Sequence, residues 1–200
     1  MSQTLIPLLK LALESVRDPR DGARRVLALA LPEGALWQGL VLVVVLSVML
    51  TQLGEILVPL PVDPLLPVFL ANPLLTGVIQ GGLLVVMIYA IHFLGRAFGG
   101  TGTFAGALAL AVWLQFIMVC LQVVQTVFLI VLPPVAGMIG VFGLGLFFYL
   151  LSHFVAVLHG FPSPLRTFVA IIAAMIGILF GISILMSVLG FTLGGALPDV

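Results

Sequence analysis

The chain has 200 residues, of which 62% are hydrophobic and only 7% are charged. A typical soluble domain carries about 25% charged residues, so this composition excludes a soluble globular protein and a disordered one. The seven basic and seven acidic residues give no net charge, which also argues against a nucleic-acid partner, because such proteins need a basic surface.

Residues 1–33 form the first predicted unit, and nine of the fourteen charged residues lie in it. Its first apolar residues recur at helical spacing, which predicts a helix lying in the membrane interface; they are Leu5, Leu8, Leu9, Ala12 and Val16. Asp18 suits a helix N-cap and Pro19 the first helical position, so a second amphipathic helix should run to about Leu31. We expect the bundle that follows to fold without this segment.

Five apolar blocks follow, each long enough to cross a bilayer, which needs about 20 apolar residues per helix. The blocks are Ala35–Val58, Pro73–Gly95, Phe104–Leu132, Val135–Leu158 and Leu165–Phe191. Backbone polar groups in lipid must be satisfied within a segment, which favours helices. The sequence therefore predicts an all-α polytopic membrane protein. Cytoplasmic amphipathic helices precede a bundle of five transmembrane helices over 34–192, and 193–200 form a short outer tail.

Charge distribution predicts the orientation. With the N-terminus in the cytoplasm, all basic residues fall on the cytoplasmic side, as the positive-inside rule requires; they are Lys10, Arg17, Arg20, Arg24, Arg25, Arg96 and Arg166. The outer side then carries Glu55, Asp63 and Asp199, and the C-terminus lies outside. Arginine outnumbers lysine, which hints at a bacterial source and hence at the bacterial inner membrane. The apolar loop over 61–72 should form a short helix on the outer interface.

Small residues indicate helix contacts, because they let backbones approach closely. Gly77 and Gly81 are four residues apart on the second span, and Gly177 and Gly181 on the fifth. We expect both pairs to pack within the bundle; a hinge or a homodimer face is the alternative.

Polar residues within spans are informative, because they are costly in lipid. One set is expected in the outer half of the bundle, as a candidate polar cavity around Glu55 or as an interhelical hydrogen-bond network, and we favour the network. Its members are Gln52, Glu55, Gln80, Gln115, Gln122 and Gln125.

Three histidines form a second, cytoplasmic-side candidate cluster. His92 and His153 lie near the cytoplasmic ends of the second and fourth spans, and His159 is expected in the loop after the fourth. Their spacing matches no zinc motif and no carboxylate is near them in sequence, so we predict interfacial polar residues and no metal site. Residues 18–25 faintly resemble the start of a phosphotransferase motif but lack its two further aspartates. No catalytic residues, enzyme activity or cofactor is predicted.

Two turns carry a resemblance. Residues 94–104 form a Gly-rich turn, Leu-Gly-Arg-Ala-Phe-Gly-Gly-Thr-Gly-Thr-Phe, after the second span. His159-Gly160-x-x-Ser163, followed by Arg166, comes after the fourth. With Asp18-Pro19 and the five spans, the chain resembles the Yip family of Ypt/Rab-interacting membrane proteins, in its bacterial branch, over roughly residues 15–190.

The resemblance implies a five-helix bundle with a cytoplasmic N-terminus. In eukaryotes the family is tied to Rab GTPases, membrane shaping and vesicle traffic. The eukaryotic Asp-Leu-Tyr-Gly-Pro motif is absent here, which argues against a small GTPase partner. We therefore expect a non-enzymatic membrane protein that organises the lipid bilayer or scaffolds partners, as a homo-oligomer or with other membrane proteins. The alternative is a small solute or ion transporter or channel whose path is lined at Glu55 and the glutamines.

Overall fold

The computed structural model describes residues 2–58 and 72–188, and this part of the chain forms seven helices and no strand. They are α1 (Ser2–Arg17), α2 (Pro19–Ala28), α3 (Glu33–Leu57), α4 (Pro73–Ala97), α5 (Phe104–Val131), α6 (Pro133–His159) and α7 (Pro164–Val188). The predicted all-α class is confirmed. The expected helix on the outer interface and the outer tail lie outside the described residues.

Helices α3 to α7 are each long and apolar enough to cross a membrane, which confirms the five predicted spans. Their starts follow local rules. Asn72 caps the start of α4, where its carboxamide oxygen accepts from the backbone amides of Leu74 and Leu75. Pro73 occupies the first helical position. The Thr103 hydroxyl accepts from the Gly106 amide at 3.1 Å, as N-cap side chains do. Helix α6 ends at His159 and is capped by Gly160, whose φ of +72° is the left-handed conformation that favours glycine.

Helix α5 lies at the centre of the bundle, between α3 and α6, and α4 packs on α3 and α5. Buried residues of α5 such as Leu108, Leu114 and Ile117 belong to one core with Ile88 of α4 and Leu150 of α6. Helix α7 packs on α6. Because successive helices alternate in direction, the last turn of α4, the first of α5, the last of α6 and the first of α7 share one end of the bundle.

The glycine predictions have opposite outcomes. Gly77 and Gly81 of α4 face Val48 and Val44 of α3, where an added Cβ would make ordinary contacts at 3.6 and 4.0 Å. Their position at a helix contact is confirmed, although the space there would also admit alanine. A Cβ at Gly177 or Gly181 would meet nothing within 4 Å. The prediction that this second pair packs within the bundle is therefore wrong, because α7 lies at the edge of the bundle and presents these glycines away from α6.

The N-terminal helices pack on the bundle and contribute residues to its core; that the bundle folds without them stays a prediction. Helix α2 packs on α5 and α6 and buries Ala23 and Val26. Helix α1 packs on α2 and buries Ala12 and Ser15. Ala12 was expected in the membrane interface, and it lies in the core instead, because the helix turns that face toward the bundle.

Candidate functional site

The two turns that carry the family resemblance meet at one buried histidine. His159 is the last residue of α6 and is only 3% exposed, so the expectation that it lies in an interfacial loop is wrong. Its Nε2–H donates to the Ile91 carbonyl of α4 at 3.0 Å, and its Nδ1 accepts from the Gly102 amide at 3.2 Å. This pairing holds the ring as a neutral imidazole with its proton on Nε2.

Three glycines make room for this ring. A Cβ at Gly95 or Gly100 would overlap the His159 imidazole, and at Gly102 it would lie 2.7 Å from Cε1. The Thr101 amide also donates to the His159 carbonyl at 3.4 Å. We call His159 with Gly95, Gly100 and Gly102 the His159 cluster. It ties the α4–α5 turn to the end of α6.

Helix α2 completes this end of the bundle. The Asp18 carboxylate caps the helix by accepting from the Asp21 amide at 3.0 Å. The Arg20 guanidinium donates to the Pro162 carbonyl in the α6–α7 turn at 3.2 Å. Further along α2, Leu27 lies over Gly106 of α5, where an added Cβ would approach its Cδ2 to 3.3 Å. Three separate segments of sequence therefore form one surface.

We call this surface the basic end, because all seven basic residues of the chain lie in α1, α2, the last turn of α4 and the first turn of α7. Arg25 forms salt bridges with Glu14 at 2.8 Å and with Asp21 at 2.7 Å. Arg24, Arg96 and others are exposed. The basic end is thus a fixed, positively charged platform.

The other two histidines have different surroundings. The His92 ring lies against Phe93 and Phe104, with ring centroids 5.2 and 5.9 Å apart. Its buried Nδ1 has no hydrogen-bond partner in the described residues. His153 instead donates from Nδ1 to the Tyr149 carbonyl of its own helix at 2.8 Å, in a groove between α6 and α7. A functional histidine cluster remains a prediction.

Toward the opposite end, polar side chains of α3, α4 and α5 form a network. The Ser47 hydroxyl donates to Gln122 Oε1 at 2.9 Å and accepts from Gln80 Nε2 at 3.1 Å. Gln122 Nε2 in turn donates to the Ser47 carbonyl and to the Thr51 hydroxyl, at 3.1 and 3.0 Å. Each amide group therefore finds partners across helices, as polar groups in a membrane must.

The other predicted members of this set lie apart from the network. Gln52 Nε2 donates to the exposed Glu55 carboxylate within α3 at 3.1 Å. Gln125 Nε2 donates to the Ala136 carbonyl of α6 at 3.2 Å. Gln115 is half-buried on α5, with no hydrogen bond of its side chain to the described residues. The polar cavity around Glu55 remains a prediction.

Sequence reasoning missed a buried bond between α1 and the bundle. The Trp113 indole N–H donates to the Ser15 hydroxyl at 3.1 Å, and that hydroxyl donates to the Leu11 carbonyl at 2.8 Å. Gly22 of α2 packs against Ser15 so tightly that a Cβ would overlap it. The available signal was the small residue at Ser15, on the same helical face as Leu8 and Ala12.

The described residues hold no group of three or more His, Cys, Asp or Glu side chains placed to bind a metal ion. Fold and site together define a multi-pass helical membrane protein with five spans and a closed basic end. The chain belongs to the Yip1 domain family, whose match covers residues 13–185. Among curated proteins and among solved structures, no match to the chain is found.

Proposed function

We propose that this protein is a non-enzymatic scaffold of the bacterial inner membrane, with its basic end in the cytoplasm, where it binds other membrane-associated proteins. The His159 cluster carries the proposal. Its buried imidazole, through two hydrogen bonds and close contact with three glycines, holds one surface in a single shape. A fixed surface costs less ordering on binding than a mobile one, which favours a docking role.

The orientation rests on charge. All seven basic residues lie at the basic end, and basic residues flanking membrane spans are retained in the cytoplasm. Cysteine substitutions at Phe98 and Leu132, which are 68% and 49% exposed in the turns at opposite ends of the bundle, test this in intact cells after Cys120 is replaced by alanine. Only Leu132→Cys should react with a membrane-impermeant thiol reagent; reaction at Phe98→Cys alone would reverse the orientation.

Photo-crosslinking in the native membrane tests the scaffold. A photoreactive residue at Phe98, in the turn of the basic end, should give discrete protein adducts. The control position Met138 is 71% exposed within the membrane-spanning part of α6, so it should give lipid adducts instead. The Phe98 adducts should weaken in His159→Ala, which loosens the turn. Equal adduct patterns at the two positions, or adducts that are unchanged by His159→Ala, would contradict a docking role for this surface.

A transporter is the second candidate, and the network of Ser47, Gln80 and Gln122 is the observation that favours it, because it places polar groups between three spans. In this role Glu55 would line the entrance to the transport path between these spans. Proteoliposomes that carry the protein should then show a proton or solute flux that is lost in Glu55→Gln. If no flux above that of empty liposomes is found, the network is structural.

A further inference from the structure

Helix α1 has two faces of different character. One face, with Ala12 and Ser15, is buried in the core. The other carries Ile6, Leu9 and Leu13, which are 69%, 50% and 55% exposed. These three residues follow one another at spacings of three and four, so they lie in one row along the helix. We call them the α1 ridge.

Two cations flank the α1 ridge. Lys10 lies four residues after Ile6, and Arg17 lies four residues after Leu13, so both share the face of the ridge, and both are exposed. The acidic residue of α1, Glu14, is engaged by Arg25 at 2.8 Å. Within the described residues no carboxylate pairs with Lys10 or Arg17. The exposed face is therefore apolar and positively charged.

The depth of α1 along the bundle distinguishes a lipid from an aqueous neighbour. Leu27 of α2 lies at Gly106, whereas Ser15 of α1 lies at Trp113. These positions are seven residues apart on α5, about 10 Å along its axis, with Trp113 nearer the middle of the span. Gly22, in the first half of α2, packs against Ser15, so the C-terminal half of α1 lies with it at the depth of Trp113, beside the wall of the bundle, where its outward face meets lipid.

We propose that α1 binds the anionic phospholipids of the leaflet on the side of the basic end. The α1 ridge enters the boundary between headgroups and acyl chains, while Lys10 and Arg17 extend to the lipid phosphates, as long cationic side chains do at interfaces. This inference goes beyond the proposed scaffold, because it concerns a lipid partner rather than a protein. It selects lipids by charge at one place on the molecule.

Lipid-specific fluorescence quenching tests the proposal on the full chain. Cys120, the only cysteine, is replaced by alanine, and Leu9→Cys carries a small fluorophore. The protein is reconstituted in equal parts of phosphatidylcholine and phosphatidylglycerol, with one or the other brominated near the headgroup. We expect brominated phosphatidylglycerol to quench more strongly. A fluorophore at Met138→Cys, 71% exposed on α6, should be quenched equally by both lipids.

Charge variants assign the selectivity to α1. The preference is the ratio of quenching by brominated phosphatidylglycerol to quenching by brominated phosphatidylcholine. Lys10→Gln combined with Arg17→Gln should lower this ratio by roughly five-fold per removed cation, until it approaches one. Arg96→Gln with Arg166→Gln removes as much charge from the basic end outside α1 and should leave the preference in place. All four substituted side chains are exposed, and circular dichroism checks that the variants remain folded.

Four results would overturn the proposal. Equal quenching of the Leu9 label by the two lipids would remove the charge selectivity. If neither lipid quenches the Leu9 label, the α1 ridge lies in water or against a protein. If the label quenches itself increasingly as the protein density rises, the ridge contacts a second copy of the chain. An equal loss of preference in both charge variants would assign the effect to the overall charge of the basic end.

Discussion

Replacing His159 by alanine removes the centre of the basic end. The imidazole is 3% exposed and joins Ile91 of α4 to the Gly102 amide of the turn. Its loss leaves a buried amide without an acceptor, at about 1–3 kcal/mol, and a cavity the size of a ring, which costs about as much again. We expect the free energy of unfolding to fall by about 3–5 kcal/mol in His159→Ala.

Unfolding of the purified protein in mixed detergent micelles, followed by circular dichroism, measures this change. His153→Ala is the matched control, since that histidine is half-buried and bonds within its own helix; it should cost about 1 kcal/mol or less. His159→Gln should lie between the two, because its carboxamide can keep one of the two bonds. Equal losses in His159→Ala and His153→Ala would refute the structural role assigned to the cluster.

Three further predictions use the same assay. Gly95→Ala should destabilise the protein by about 1–3 kcal/mol, because its Cβ overlaps the His159 ring. Gly177→Ala faces open space and should be neutral or stabilising by up to about 1 kcal/mol. A larger loss of stability in Gly177→Ala than in Gly95→Ala would contradict the packing of α4. Trp113→Phe should cost about 1–2 kcal/mol through the lost indole bond to α1, and no change would show that α1 is not part of the core. Gln122→Leu should cost about 1–2 kcal/mol, because it removes three hydrogen bonds between α5 and α3. Glu55→Gln should cost less than about 1 kcal/mol, because Glu55 is exposed; a larger loss in Glu55→Gln would argue for a buried role.

The spans could be predicted because the bilayer imposes one simple requirement, a run of about 20 apolar residues. Turn chemistry marks their limits, as at Asn72-Pro73 and Thr103, where the side-chain caps are local in sequence. The contact of Gly77 and Gly81 with α3 also follows from a local pattern. The same pattern at Gly177 and Gly181 failed, because which helix lies at the edge of a bundle depends on the packing of all the others.

The His159 cluster could not be predicted, because its members come from positions up to 64 residues apart and none has a distinctive local pattern. A histidine beside a glycine at a helix end is typical of an exposed turn. Only the tertiary structure shows that Gly95, Gly100 and Gly102 leave a space for it. The face of α1 was mistaken for a related reason: its apolar residues are spread widely around the helix, so either side could have been taken for the buried one.

The connection between α5 and α6 constrains how the protein is made. Helix α5 ends at Val131 and α6 begins at Pro133, so Leu132 alone joins two spans of 28 and 27 residues. Such a connection holds the adjacent ends of the two spans at the same depth, so we expect the pair to integrate into the bilayer as a single hairpin. Arg96 lies just ahead of this hairpin and Arg166 just after it. Inverting the hairpin would carry both cations across the hydrocarbon core, at about 2.5–3.5 kcal/mol each at its centre, and the orientation chosen at insertion is thereby retained.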